Sequence, residues 1–131
     1  MAIIHASIGK QHYETALSSA TNTYVADEPL SAGGADKGFS PSELLASALA
    51  TCTCVTLRMY ADHKGWPLTA VRVKVDFSRD SEHNISNITR DISLEGPLSE
   101  EQHTRLLGVA NSCFIHKTLS NPINITTSLV Q

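Results

Sequence analysis

Two stretches of the chain alternate apolar and polar residues, which is the pattern of strands with one buried face. The apolar residues of the first stretch are Val71, Val73, Val75 and Phe77, and those of the second are Ile88, Ile92 and Leu94. Arg90 has the same parity as the second set, so it is predicted to point towards the apolar side unless a bulge intervenes. An inward arginine is expected to need an anionic partner.

A long helix from Pro41 to about Lys64 has the clearest boundary signals. Ser40 is the predicted N-cap, and Glu43 three residues later completes a capping box. Proline suits the first helical position, and Gly65 follows the predicted end of the helix.

Apolar residues recur along this helix at spacings of three and four, which predicts one apolar stripe. The stripe consists of Leu45, Ala48, Leu49, Cys52, Val55 and Met59. The Cys52 thiol is therefore expected to be at least partly buried. The apolar segment 44–57 is interrupted by serine and threonine and is shorter than the about 20 apolar residues of a membrane span. We therefore expect a core helix.

The remaining elements complete an α+β layout. Residues 3–26 are predicted to form two or three short strands, followed by a glycine-rich loop. Ser99 and Gln102 form the capping box of a second helix that leads towards Cys113. The apolar residues along this helix are Leu106, Leu107 and Ala110. A last strand is predicted from the alternation of Ile123, Ile125, Thr127 and Leu129.

Length and charge limit the available functions. With 131 residues, 41% of them hydrophobic, the chain is predicted to be a single domain, 1–131. Ten basic residues against 13 acidic ones predict no nucleic-acid partner and no anionic membrane surface. Residues 1–10 lack the features of a signal peptide, so a cytoplasmic location is expected. The 3 cysteines cannot all pair within one chain, which favours reduced or catalytic thiols.

Cys52 is the first candidate nucleophile, because a thiol in the middle of a long helix can be shielded from bulk water yet reachable through a pocket. The alternative is a small core residue, since free cysteine is among the most buried residue types. Cys54 lies about 200° farther round the helix and is interpreted as core packing.

Cys113 is the second candidate, because a short helix beginning near Ser112 would place its thiol at the positive end of the helix dipole. His116 and Lys117 would also lower the pKa of the thiol if their side chains turned towards it. On a surface helix, both side chains are more often solvated.

Metal and nucleotide sites are disfavoured. Four possible zinc ligands are Cys52, Cys54, Cys113 and His116. Two of the four point to different sides of one helix, which does not suit a structural zinc site. The Gly33-Gly34 loop lacks the residues that end a phosphate loop. No metal or cofactor is therefore expected. The acidic residues of this loop are interpreted as solvated charges, with a binding rim as the alternative: Asp27, Glu28 and Asp36.

The segments around both cysteines resemble the OsmC family of osmotically inducible and organic-hydroperoxide-resistance proteins, in a less characterised branch. The matching segments are the loop with Asp27-Glu28-Pro29 and Gly33-Gly34, Ser40-Pro41-Ser42-Glu43-Leu44-Leu45, Ala50-Thr51-Cys52-Thr53, Thr56-Leu57-Arg58-Met59-Tyr60-Ala61, and Cys113 with His116-Lys117-Thr118-Leu119. The resemblance covers roughly residues 24–130. It implies an α+β fold with an antiparallel sheet, a long central cysteine-bearing helix and a second helix. Two chains would interlock as a homodimer with active sites at the subunit interface.

The resemblance also implies a thiol-dependent peroxidase that reduces organic hydroperoxides in oxidative-stress defence. Cys52 would be the peroxidatic thiolate, which becomes a sulfenic acid. Cys113 would be the resolving thiol, which condenses with that acid to a disulfide. A dithiol reductant would then restore both thiols.

Two positions depart from the pattern of the established peroxidases, which have a glutamate directly after the helix-starting proline and an N-terminal arginine. Here Ser42 follows the proline, and no arginine precedes Arg58. Glu43 lies about 180° from Cys52 on a straight helix, so it serves either as a capping residue alone or at a site of the partner chain. Arg90 is the candidate replacement for the missing arginine. The alternative is a redox-responsive or small-molecule-binding protein without efficient peroxide turnover.

Overall fold

The computed structural model describes residues 1–130, which form two antiparallel sheets and three α-helices. The fold is α+β, as predicted. The chain divides into a first compact unit, Met1–Ala46, and a second that begins at Ser47.

The first unit contains a three-stranded antiparallel sheet with β2 in the middle. Its strands are β1 (His5–Ile8), β2 (Thr15–Ser18) and β3 (Thr23–Ala26). The register places Leu17 between Ala6 on one side and Tyr24 on the other. The prediction of two or three short strands is confirmed, and the glycine-rich segment that follows contains only a short 3-10 turn, Leu30–Ala32.

Asp27 organises that loop, and its interpretation as a solvated charge was wrong. The residue is only 2% exposed. Its carboxylate accepts hydrogen bonds from the backbone N–H groups of Tyr13, Glu28, Ala35 and Lys37, at 2.7–3.2 Å. Burial raises the pKa of this carboxyl group, but the four hydrogen bonds outweigh burial and hold the pKa below its ordinary value. A buried carboxylate is tolerated here because the backbone replaces water as its donor.

Helix α1 spans Pro41–Lys64, as predicted. The Glu43 backbone N–H donates to Ser40 Oγ at 3.3 Å, and the Ser40 backbone N–H donates to Glu43 Oε1 at 2.9 Å. This confirms the capping box. Gly65 follows with a φ of 69°, in the left-handed region that glycine adopts at helix ends.

The second unit is built on a long hairpin. Its strands are β4 (Ala70–Asp80) and β5 (Ile85–Glu95), and its further helices are α2 (Glu100–Ala110) and α3 (Phe114–Leu119). The hairpin pairs residue for residue without a bulge, and Val75 lies opposite Arg90. Both predicted strands are confirmed, and so is the capping box of α2 between Ser99 and Gln102.

The core of this unit lies between α1, α2 and the hairpin. Its fully buried cluster consists of Leu57, Leu106, Val109 and Ala110. Burying one leucine side chain contributes about 1.5–3 kcal/mol, so the two leucines of this cluster are major contributors. Leu107, on the same helix, is 61% exposed, and Val109 packs in the core.

The predicted apolar stripe of α1 was largely wrong. The residues buried along the helix are Leu49, Thr53, Leu57 and Ala61, a row at spacings of four. Of the predicted stripe, Val55 and Met59 are exposed, the latter to 67%, and Cys52 is half-buried. A threonine fits the buried row because its hydroxyl donates to the Leu49 carbonyl at 2.7 Å. Val55 and Met59, which lie outside this row, remain uncovered in the single chain.

The predicted last strand was also wrong. Residues 121–130 form no strand, and the two sheets contain only the strands already described. The alternating side chains are largely exposed, with Leu129 at 87%. A strand needs a neighbouring strand as well as an alternating pattern, and this segment has no pairing partner among residues 1–130.

Helix α1 as a whole, 24 residues with a mean hydropathy of 1.4 in its most apolar window, is long and apolar enough to cross a membrane. The expectation from its apolar segment alone was that it would be too short. Core helices of soluble proteins meet the same criterion, so the finding is weak evidence for a membrane span.

Candidate functional site

The structure brings the two predicted cysteines together. Cys52 lies in the middle of α1, and Cys113 is the fully buried N-cap residue of α3. The Cys113 sulfur accepts the backbone N–H of His116 at 3.5 Å, and the Cys52 sulfur lies 4.0 Å from the Thr56 hydroxyl. The two thiols are near enough for each to shift the pKa of the other. Both cysteines are free thiols.

The Cys52 environment favours the thiolate. Burial raises the pKa of the Cys52 thiol, but hydrogen bonds from the Cys113 thiol, the Ile115 N–H, the Thr56 hydroxyl and the Phe114 N–H together outweigh it. The resulting pKa is lower than that of an ordinary cysteine. Two of these donors are backbone groups at the start of α3, where unsatisfied N–H groups stabilise negative charge.

Cys113 is the proton-bearing member of the pair. Burial and the hydrogen bond that it donates to Cys52 both raise the pKa of its thiol, against the lowering effect of the His116 and Ile115 backbone N–H groups. The negative charge of Cys52 raises the pKa further. The pKa values of the two neighbouring thiols are therefore shifted in opposite directions, so Cys52 loses its proton more readily than Cys113.

Arg90 points inward from β5, as its parity predicted, and meets neutral acceptors. One terminal nitrogen donates to Thr53 Oγ1 at 3.1 Å and to the Ala110 carbonyl at 3.3 Å. The other lies 3.0 Å from Asn111 Oδ1 and 3.2 Å from His116 Nδ1. Arginine only donates, so Nδ1 is the acceptor and the ring proton is assigned to Nε2.

The expectation that Arg90 needs an anionic partner was wrong. Among residues 1–130, no carboxylate forms an ion pair with it. The side chain is only partly buried, so water still screens its charge. Four neutral acceptors satisfy its donors, and a carboxylate is not needed. None of the hydrogen bonds of Arg90 reaches a sulfur atom.

The other predicted residues are placed as follows. The carboxylate of Glu43 caps the start of α1. Lys117 is exposed, while the His116 ring is turned to Arg90 and only its backbone N–H serves Cys113. Cys54 is half-buried. Sequence reasoning assigned no role to Thr53 or Asn111, because each is identified only through its contact with the guanidinium.

A group of three metal-ligating side chains lies at the tip of the β4–β5 hairpin. Ligand atoms of Asp80, Glu82 and His83 are within 4.8 Å of one another, and all three residues are exposed. The described residues form no such group at the cysteines. Exposed acidic groups of this kind are common without an ion, so the hairpin tip does not by itself define a metal site.

Comparison with known proteins agrees with this architecture. The family model described as OsmC-like protein matches residues 34–128. The chain belongs to the OsmC family. Members of this family are soluble, which fits α1 as a core helix. No curated protein sequence matches significantly.

Several solved structures share the fold at low sequence identity. An OsmC-like protein from Mycoplasma pneumoniae has a TM-score of 0.80 and 23% identity, over 100% of this chain and 98% of that one. The organic hydroperoxide resistance protein OhrB of Bacillus subtilis has a TM-score of 0.62 and 19% identity, over 90% and 89%. An organic hydroperoxide resistance protein OsmC from Legionella pneumophila has a TM-score of 0.66 and 18% identity, over 91% and 88%. Together with the family match, they support a general OsmC-like role.

We expect the reduced protein to form its first thiolate at a lower pH than ordinary cysteine, because the pKa of Cys52 is lowered. Ultraviolet absorbance of the thiolate during a pH titration measures this step. Cys52→Ser should abolish the step, and Cys113→Ala should move it to higher pH, because the S–H donor is lost. Cys54→Ser is the control and should leave it in place. A first step at the ordinary cysteine pKa in the unmodified protein would contradict the assignment.

Proposed function

We propose that this protein is a cytoplasmic, thiol-dependent peroxidase that reduces organic hydroperoxides in oxidative-stress defence. The observation that carries the proposal is the asymmetry of the thiol pair, with a lowered pKa at Cys52 and a raised pKa at Cys113. A peroxidatic cysteine needs a thiolate, and its resolving partner has to stay close. Relatives described as organic hydroperoxide resistance proteins support this class of substrate.

The reaction proceeds in three steps. The Cys52 thiolate attacks the terminal oxygen of ROOH, an S–O bond forms and the O–O bond breaks, and the leaving alkoxide takes a proton from solvent to become ROH. Cys113 then attacks the sulfenic sulfur, an S–S bond forms, and the hydroxyl group leaves with the thiol proton as water. A dithiol reductant supplies two electrons and two protons to restore both thiols.

The working unit of this proposal is an interlocked homodimer of single OsmC-like domains, with sites at the subunit interface. Large apolar side chains are exposed in several parts of the chain: Ile8, Val25, Val55, Met59, Phe114, Ile125 and Leu129. Phe114, which follows Cys113 directly, is 75% exposed. A second chain would cover such residues at the flank of the site and would supply the partner that the C-terminal segment lacks.

The first test is consumption of cumene hydroperoxide, compared with hydrogen peroxide, by the reduced protein. We expect faster consumption of the organic peroxide, and mass spectrometry of the oxidised product should identify a Cys52–Cys113 disulfide. Light scattering should give twice the 14.1 kDa mass of one chain.

If the protein consumes hydroperoxide no faster than a free thiol does, the peroxidase proposal is rejected. That result would favour the alternative of a redox-responsive or small-molecule-binding protein, which the absence of the usual glutamate and arginine motivates. A dimer mass would not change that result, because assembly and turnover are measured separately.

A further inference from the structure

The Arg90 guanidinium is a junction between the elements that carry the two thiols. It reaches Thr53, which adjoins Cys52 on α1, and His116, which lies on α3 three residues after Cys113. Its remaining bonds go to the end of α2, at the Ala110 carbonyl and the Asn111 side chain. One strand residue thus joins three helices through four hydrogen bonds.

Apart from the buried Cys113 N-cap and the backbone N–H groups near Cys52, helix α3 has few groups that fix its position. It contains six residues, and none of them is fully buried. Such a short helix has little intrinsic stability, and half-exposed side chains contribute little packing energy. The charged hydrogen bond between Arg90 and the His116 ring belongs to the stronger class of hydrogen bonds, so it is a substantial part of what holds this segment.

We propose that Arg90 is a positioning residue that holds the Cys113 segment against the Cys52 helix and thereby sets the rate and equilibrium of disulfide formation between them. This inference rests on the proposed function for its place in the catalytic cycle. It assigns Arg90 to the second step, the attack of Cys113 on the oxidised Cys52, and not to activation of the Cys52 thiolate.

Two observations separate positioning from activation. The donors that stabilise the Cys52 thiolate are Cys113, Ile115, Thr56 and Phe114, and Arg90 is not one of them. The hydrogen bonds of Arg90 also end on oxygen and nitrogen acceptors, away from sulfur. Disulfide formation tolerates only a narrow range of backbone separations. Hydrogen bonds that hold the start of α3 in place therefore affect this step directly.

Arg90→Met tests the tether, because methionine keeps much of the apolar side chain and removes every donor. Stopped-flow measurements with cumene hydroperoxide should show Cys52 sulfenic acid forming within about threefold of the unmodified rate, whereas disulfide formation should slow by about 10- to 100-fold, the range expected for a misplaced reacting group. Sulfenic acid trapping with dimedone should increase accordingly. Arg72→Met is the matched control, since Arg72 is an exposed arginine of the same hairpin that pairs with Glu95, and it should change neither step.

A second variant tests the same contacts without removing Arg90, in case Arg90→Met does not fold. His116→Ala combined with Asn111→Ala keeps the arginine charge and the Cys113 backbone contact but removes two of the four acceptors. It should also slow disulfide formation, by at least about threefold. A normal disulfide rate in this variant, together with a slowed first step in Arg90→Met, would show that the charge of Arg90 matters and would overturn the inference.

An equilibrium measurement separates this inference from the peroxidase proposal. In glutathione redox buffers, the Cys52–Cys113 disulfide forms without any peroxide, and its equilibrium constant reports how well the two thiols are placed. Arg90→Met should lower this constant at least about tenfold, while Arg72→Met should not. An unchanged constant would overturn the positioning role even if peroxidase activity is confirmed.

Discussion

Cys52→Ser is expected to abolish peroxide reduction. Loss of the nucleophile should reduce the rate of cumene hydroperoxide consumption by at least about a thousandfold, because a serine hydroxyl does not ionise near neutral pH and cannot form a sulfenic acid. The measurement is peroxide loss over time with a small dithiol as reductant. Thermal unfolding of the variant should remain close to that of the unmodified protein, because the half-buried thiol is replaced by a side chain of similar size.

Cys54→Ser is the matched control for this experiment. Its cysteine lies on the same helix, two residues along, is also half-buried, and points about 200° away from Cys52. This substitution should keep the rate within about twofold, as expected for a residue outside the reacting pair. Equal loss in both variants would indicate damage to α1, and full activity in Cys52→Ser would reject Cys52 as the nucleophile.

The inward position of Arg90 was predictable because it depends on strand parity alone. Val73, Val75 and Ile92 fix which face of the hairpin is apolar, and an uninterrupted register carries Arg90 to that face. The capping boxes were predictable for the same reason, since each is decided by residues three positions apart. Local geometry of this kind does not depend on what the chain later packs against.

The buried face of α1 was not predictable in this way. Apolar residues occur on more than one side of the helix, and the pattern cannot tell which side faces its own chain. Leu49, Thr53 and Leu57 form the row that is buried, while Met59 stays exposed. Thr53 was counted as an interruption of the apolar pattern, although its hydroxyl is satisfied by Leu49 and by Arg90. Only the tertiary contact reveals it as part of the site.

Asp27 illustrates the same limit for polar residues. A carboxylate in a glycine-rich loop is usually solvated, and its four backbone donors come from positions as far apart as Tyr13 and Lys37. No local motif contains this information. In the exposed C-terminal segment, by contrast, a local pattern is present but the tertiary contact is not. Its residues alternate like those of a strand, but the segment has no pairing partner among residues 1–130.

Cys113→Ser is expected to preserve the first oxidation and stop the cycle after it. The serine hydroxyl keeps a donor next to Cys52, so its thiolate should still form and react with one equivalent of hydroperoxide per chain. No disulfide can follow, and the sulfenic acid should accumulate and be trapped by dimedone. With excess peroxide, Cys52 should advance to the sulfinic acid, which a dithiol does not restore.

Mass spectrometry of the Cys52 peptide gives the outcome directly. The unmodified protein should yield mainly the disulfide and retain its activity after excess peroxide. In Cys113→Ser, the Cys52 peptide should gain two oxygen atoms and the protein should lose its activity. Cys113→Ala adds a further distinction: without any side-chain donor, the pKa of Cys52 rises, and the first oxidation should slow near neutral pH. If Cys113→Ser instead survives excess peroxide as well as the unmodified protein does, the small dithiol reduces the sulfenic acid directly and Cys113 is not the resolving thiol.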